Sequence, residues 1–367
     1  MKDRLLIVGA FKESDDKIFG GILTSCKALI NSNLKNEFEL ILLDSTQKSI
    51  PPPNLFIRLL NSINRFFKLL KIISLQKPSY AIIFTADGLS FLEKSLFGFV
   101  CSISGCKTFL FPRAGNLINQ INENRLLKFL CRILVRQDAH LLCQGPSWKD
   151  FGVSDLGYKE SKIHVIPNWT LNLQEIQNAF EPINFYNKNI KIIFVGWLEK
   201  SKGVYELFNA FKIILEKGYS VELSFVGDGS EYFCLKQLAQ SYKVNDSIRF
   251  YGWKKKPELL KIMYEHHIFI LPSWSEGMSN AVIEALAVGL PTITTPVGVM
   301  RDFFTHDIDV KFIEPQNETM LVKTIEELLM NRKELLRLSK SGKNCVTSQF
   351  ESQKVINNLI KVLRQAS

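Results

Sequence analysis

Ile268-Phe269-Ile270-Leu271-Pro272-Ser273-Trp274-Ser275-Glu276-Gly277-Met278-Ser279-Asn280-Ala281-Val282-Ile283-Glu284-Ala285-Leu286-Ala287 compresses a strand, a turn and a helix into one short stretch. The apolar run ends at Leu271 without polar alternation, as a strand covered on both faces does. A polar turn follows, and a helix starts near Ser279 or Asn280. Glu276 falls in the turn, and Glu284 about one turn into the helix. The helix N-terminus offers unpaired N–H groups and a partial positive charge, suited to a diphosphate or a polar sugar. A carboxylate in the turn can accept hydrogen bonds from sugar hydroxyls, and one inside the helix can hold a ribose diol. By themselves, two Glu residues at this spacing are better read as a solvated loop acid and a surface helix acid.

Working outward, the same strand-then-helix step recurs. Strands are expected at Leu5–Val8, Phe38–Leu43, Tyr80–Phe84, Thr108–Phe111, His140–Cys143 and Ile163–Ile166. The pattern restarts after a polar stretch with Ile190–Val195, Val221–Val226, Ile248–Tyr251, Ile268–Leu271 and Thr292–Thr294. Helical patterns separate the strands, which predicts an α/β fold with parallel sheets. The chain has 367 residues, enough for two domains. The expected division is an N-terminal domain over 1–171, a linker over 172–189 that carries Pro182 and several Asn, and a C-terminal domain over 190–351. A final helix over 352–367, with Val355, Ile356, Leu359, Ile360 and Leu363 on one face, is placed to pack back on the first domain.

Composition narrows the functional classes. The longest apolar run, Leu96 to Gly105, falls short of the ~18 residues a membrane-spanning helix needs. Met1-Lys2-Asp3-Arg4 leads directly into a strand-length run, so no secretory signal is expected and a cytoplasmic location is. The seven cysteines form no CxxC pair and read as free thiols. The five histidines supply no metal-ligand spacing, and His266 and His267 read as capping or surface residues. Net charge is +10, and it is uneven: residues 1–171 hold 22 Lys and Arg against 14 Asp and Glu, residues 172–367 hold 24 against 22. The first half is thus the half expected to meet something anionic.

Further turns carry chemistry at strand ends. Phe194-Val195-Gly196-Trp197-Leu198-Glu199-Lys200-Ser201-Lys202-Gly203 lets a ligand approach the backbone at Gly196, and Lys202 can neutralise diphosphate charge as a bond to sugar breaks. Gly227-Asp228-Gly229 follows a strand as a tight turn, and Gly252 closes another. Phe19-Gly20-Gly21 opens the first helix.

Glu276-Gly277-Met278-Ser279-Asn280 through Glu284-Ala285 resembles the Glu-x7-Glu hallmark of the family-4 retaining glycosyltransferases. The resemblance extends over essentially the whole chain and implies a GT-B fold, two facing Rossmann-like doubly wound domains with a cleft between them. It implies that Glu276 contacts the donor sugar and Glu284 the nucleotide ribose, with the backbone of Gly277, Met278, Ser279 and Asn280 along sugar and phosphates. It implies donor contacts at Gly20 and Gly21, at Gly196 and Gly227, and at Gly252 beside the base. Lys202 occupies the Lys of the family's Gly-Arg-Leu-x-x-x-Lys-Gly, while Trp197 replaces the Arg, leaving Lys200 or Arg113 to compensate. In Phe109-Leu110-Phe111-Pro112-Arg113-Ala114-Gly115-Asn116 the family's His is absent and Arg113 is the nearest candidate for a phosphate or acceptor contact. Trp169 stands where the family has Gly.

The expected function is transfer of a hexosyl unit from a nucleoside-diphosphate sugar, UDP-sugar foremost, to a saccharide or lipid-linked saccharide, with retention, in surface polysaccharide or lipopolysaccharide assembly. Lys202 and Glu276 are its expected catalytic residues. No cofactor is expected beyond the sugar nucleotide, no catalytic metal because no strand-flanked Asp-x-Asp is present, and no nucleic acid because no such module is found. Two basic, apolar segments, Asn54 to Lys77 and a stripe of Arg125, Lys128, Arg132 and Arg136, make an anionic membrane surface a candidate partner. The alternatives are a sugar-nucleotide epimerase of the same architecture and a non-catalytic nucleotide-sugar-binding protein.

Overall fold

Apolar runs that no solvent-facing side chain interrupts become strands buried on both faces. In the computed structural model, β1 (Asp3–Gly9), β2 (Phe38–Asp44), β3 (Tyr80–Thr85), β4 (Lys107–Pro112), β5 (His140–Cys143) and β6 (Ile163–Val165) form one sheet. A second sheet holds β7 (Ile190–Val195), β8 (Val221–Val226), β9 (Ile248–Gly252), β10 (Ile268–Leu271), β11 (Thr292–Thr294) and β12 (Lys311–Phe312). Every pairing in both sheets is parallel. The strands expected from the sequence are all present, with ends within two residues. β12 was not expected, because its two residues are too short to carry a pattern. The structure describes residues 2–11, 20–46, 53–115, 117–135, 139–172, 176 and 183–366. Phe19, Asn116, Arg136, Pro182 and much of the expected linker lie outside the described residues.

The chain divides into two compact units, Met1–Thr170 with Ser352–Ser367, and Leu171–Glu351. In the first unit the sheet order is β2-β1-β3-β4-β5-β6. Leu5, Ile7, Ile82, Phe84, Phe109 and Phe111 build its core, and the helix Ser352–Gln365 closes one side with Val355, Ile356, Leu359 and Leu363. Burying each such side chain contributes about 1.5–3 kcal/mol. At the end of that helix Arg364 lies 5.1 Å from the Phe38 ring centroid and 3.1 Å from Glu37 Oε2.

In the second unit the order β12-β11-β10-β7-β8-β9 is that of a doubly wound Rossmann sheet. His266 and His267 are buried in this unit rather than at its surface. His266 Nδ1 is 2.7 Å from the Ile262 carbonyl at the end of the helix Lys256–Tyr264, and Nε2 is 2.8 Å from Ser224 Oγ on β8. His267 Nδ1 accepts the Lys191 N–H at 3.0 Å. Burial pushes both imidazoles down to about 4. The seven cysteines are free, five of them buried. Among the described residues no helix is long and apolar enough to cross a membrane.

Candidate functional site

In the second sheet the chain winds outward from β7 through β8 to β9, then returns to place β10 on the other side of β7. The loops leaving β7 and β10 therefore diverge from adjacent strands, and ligands of open α/β sheets bind at that switch point. Lys202 comes from the first loop and Glu276 from the second. Lys202 Nζ donates to Glu276 Oε1 at 2.8 Å, and Ser273 Oγ donates to the same oxygen at 2.9 Å. The two charged side chains keep 21% and 17% of their exposure, so the pair is sheltered but reachable.

Backbone contacts hold the two loops in register. Trp274 N donates to the Ser201 carbonyl at 2.8 Å, and its indole Nε1 to Glu206 Oε1 at 2.8 Å. Gly203 ends the turn with φ +71°, and a Cβ there would overlap the Pro272 carbonyl oxygen. Only glycine lets the chains pass this closely. On the far side, Gly298 after β11, at φ +62°, sits against the carbonyls of Glu276 and Gly277. Val299 N donates to Gly277 O at 3.0 Å, and Thr295 Oγ1 to Ser273 O at 2.6 Å.

The helix Asn280–Val288 begins where the turn ends, with Ser279 Oγ accepting from Val282 N as its cap. Met278 and Ser279 are buried and Asn280 half-buried. Glu284, the second acid of the opening stretch, is 6% exposed and not a surface residue. Its Oε1 lies 3.2 Å from Nζ of Lys256, at the start of the helix after β9. Gly196, Gly227 and Gly252, the other glycines expected at the donor in this half, lie at the same sheet end. Gly196 N donates to Val226 O at 3.0 Å, and Gly227 N to Gly252 O at 2.9 Å, so the loops after β7, β8 and β9 are laced together. Trp197 and Lys200 share the β7 loop, Lys200 exposed and Trp197 half-buried.

Sequence reasoning missed Ser273, Lys256 and Gly298. Gly298 had a signal, a glycine shortly after a strand. Lys256, inside Lys254-Lys255-Lys256, reads as an ordinary solvated helix start. Among the described residues no group of three or more His, Cys, Asp and Glu could hold a metal ion.

In the first unit, Gly20 is extended and precedes the helix Gly21–Ile30, with open space where its Cβ would stand. Arg113 follows β4. Its Nη2 donates to Ser25 Oγ at 2.7 Å, and its guanidinium lies 5.0 Å from both the Phe111 and the Trp169 ring centroids. Nη1 is buried without a hydrogen-bond partner among the described residues. Burial lowers the guanidinium to about 10, which leaves it cationic at neutral pH. Trp169 is fully buried and its Nε1 donates to Ser25 O at 2.9 Å.

Residues 175–345 match the family model described as glycosyl transferases group 1, a span that lies within the second unit. The capsular polysaccharide biosynthesis glycosyltransferase CapM of Staphylococcus aureus is 27% identical over 216 residues, 56% of this chain and 53% of that protein. The chain spans about half the length of the curated relatives it matches. Among solved structures, sucrose-phosphate synthase from Thermosynechococcus elongatus superimposes with a TM-score of 0.80 at 14% identity, covering 99% of both chains. Anabaena HepE, solved with UDP and glucose, does so with a TM-score of 0.75 at 13% identity, also over 99% of both. The architecture is that of the GT-B glycosyltransferases, two Rossmann-like domains.

Proposed function

We propose that the chain transfers a hexosyl unit from a nucleoside-diphosphate sugar to a saccharide or lipid-linked saccharide, with retention, in surface polysaccharide or lipopolysaccharide assembly. The observation that carries this reading is the Lys202–Glu276 pair at the switch point of a Rossmann sheet, beside a capped helix N-terminus. Leaving-group charge develops on the diphosphate in the transition state, and a preset cation and helix N-terminus stabilise it there. Lys202 exchanges its contact with Glu276 for the phosphate, and Glu276 then receives the hydroxyls of the sugar. Glu284 holds the ribose diol, with Lys256 fixing its position. Because the stabilising charges come from the chain, the reaction runs without a divalent cation. UDP is the first donor base to test, and HepE with UDP and glucose supports that choice. The name of CapM supports a polysaccharide product.

The test is a thermal-shift screen of UDP-, GDP-, ADP- and CMP-sugars in EDTA, on wild type and Glu284→Ala. Proton NMR of the product made from the stabilising donor then reads its anomeric configuration. One nucleotide should raise the melting temperature of wild type alone, and its product should keep the donor's configuration. No shift with any donor at millimolar concentration overturns the donor site. An inverted product overturns retention.

A further inference from the structure

Three neighbouring helices of the first unit turn apolar side chains outward. The helix Leu55–Gln76 has one inward face, where Leu69 is buried, Phe66 meets Phe97 at 6.1 Å between ring centroids, and Arg65 pairs with Glu93 at 2.7 Å. Its opposite face should be polar. Instead it carries Phe56, Leu60, Ile63, Phe67 and Leu70 at helical spacing, with Phe56 and Phe67 68% and 64% exposed. The helix Leu89–Ile103, which packs against this helix and against Arg125–Val135, exposes Leu89, Leu96 and Ile103, each two turns from the next. Arg125–Val135 buries Cys131 and exposes Leu126, Phe129, Leu130 and Ile133. Large apolar side chains scattered singly are ordinary on a surface, whereas a contiguous patch marks an interaction site.

Charge identifies the occupant. Neither Leu55–Gln76 nor Arg125–Val135 contains an Asp or Glu. Arg58, Lys68, Lys71 and Arg125 make no ion pair among the described residues. A second copy of the chain, meeting this surface by two-fold symmetry, would set like charges together with no acid on either helix to offset them. Apolar side chains flanked by free cations match an anionic bilayer, in which rings and aliphatic groups enter the acyl boundary and ammonium groups meet the headgroups. We infer that the outward faces of these three helices form a docking surface for an anionic lipid membrane. The inference does not depend on the transfer reaction.

The experiment is flotation of the full-length protein with phosphatidylcholine vesicles, with and without phosphatidylglycerol, at low and high salt. Leu60→Asp with Phe67→Asp tests the apolar face, and Lys68→Glu with Lys71→Glu tests the charge. All four positions are exposed, and unchanged melting temperature with unchanged sugar-nucleotide shift certifies the fold. Wild type should float only with anionic vesicles, less at high salt, and each double variant should partition about tenfold or more weakly. Wild type that stays unbound at low salt overturns the inference. So does binding that both variants retain, or a concentration-dependent dimer that the Asp variant splits while no vesicle is bound.

Discussion

Lys202 and Glu276 stand 74 residues apart in the chain, yet their charged atoms lie 2.8 Å apart because β10 returns to the side of β7. Each side chain depends on the other loop for its place, through Trp274 N on Ser201 O and through the Gly203 passage by Pro272. Lys202→Met removes the cation without adding bulk. It should lower kcat about 10²–10³-fold, the loss typical when one transition-state charge contact is removed. Donor Kd should change far less, because in the proposed mechanism the contact strengthens only as the bond breaks. Steady-state kinetics with calorimetric Kd values check this. A variant that loses donor affinity and keeps kcat would assign Lys202 to ground-state binding alone.

In the proposed donor site Glu284 holds the ribose, at the other end of the donor from Lys202. A hydrogen bond to a charged group contributes about 1.5–3 kcal/mol, or roughly 10- to 150-fold in Kd. Glu284→Gln should weaken donor binding within that range while leaving the Lys202–Glu276 geometry untouched. Lys256→Met should weaken it less, since Lys256 acts through Glu284. Titration of UDP into the three proteins decides the order, and UDP binding that is insensitive to Glu284→Gln would remove this carboxylate from the site.

Two residues of the first unit that depart from the pattern the sequence resembles touch each other. Arg113 stands in the segment where a His is usual and Trp169 where a Gly is usual, and the guanidinium lies 5.0 Å from the indole ring. Trp169→Gly removes a fully buried ring and should cost about 3–5 kcal/mol. The sharper measurement is a double-mutant cycle of Trp169→Leu with Arg113→Met in urea. A coupling of about 0.5–2 kcal/mol is expected from the cation over the ring. Additive costs would show that the two substitutions are independent.

The same contrast explains what was legible beforehand. Strands such as Ile190–Val195, where Lys191 alone is polar, and Ile268–Leu271 announce themselves, because a parallel strand buried on both faces is apolar at almost every position. Glu276, Lys202 and the glycines sit just beyond such strands and could be placed by position. Lys256 and Gly298 could not be paired with Glu284 and Glu276, since sequence does not say which loops adjoin. The outward face of Leu55–Gln76 was equally hidden. Apolar residues occur all around that helix, and periodicity alone cannot tell which of them meets the sheet. His266 misled for a related reason: a polar side chain beside a Lys-rich helix looks solvated until Ser224 is found across from it.

That buried histidine makes stability depend on pH. Folded, His266 is held neutral by burial down to about 4, whereas its ordinary value is 6.5. The unfolded chain therefore takes up the proton first as pH falls, and folding weakens. The contribution is complete above about 6.5 and is lost progressively as pH falls toward about 4, amounting to about 3 kcal/mol from this residue. His267, also lowered to about 4 by burial, acts in the same direction. His266→Gln keeps a side chain able to bond Ser224 but cannot titrate. It should be less stable than wild type at neutral pH and close much of that gap as pH falls to about 4. Urea midpoints of both proteins across this window test it. Parallel profiles would mean that His266 takes up its proton at the same pH in the folded and the unfolded chain, which would overturn the burial effect.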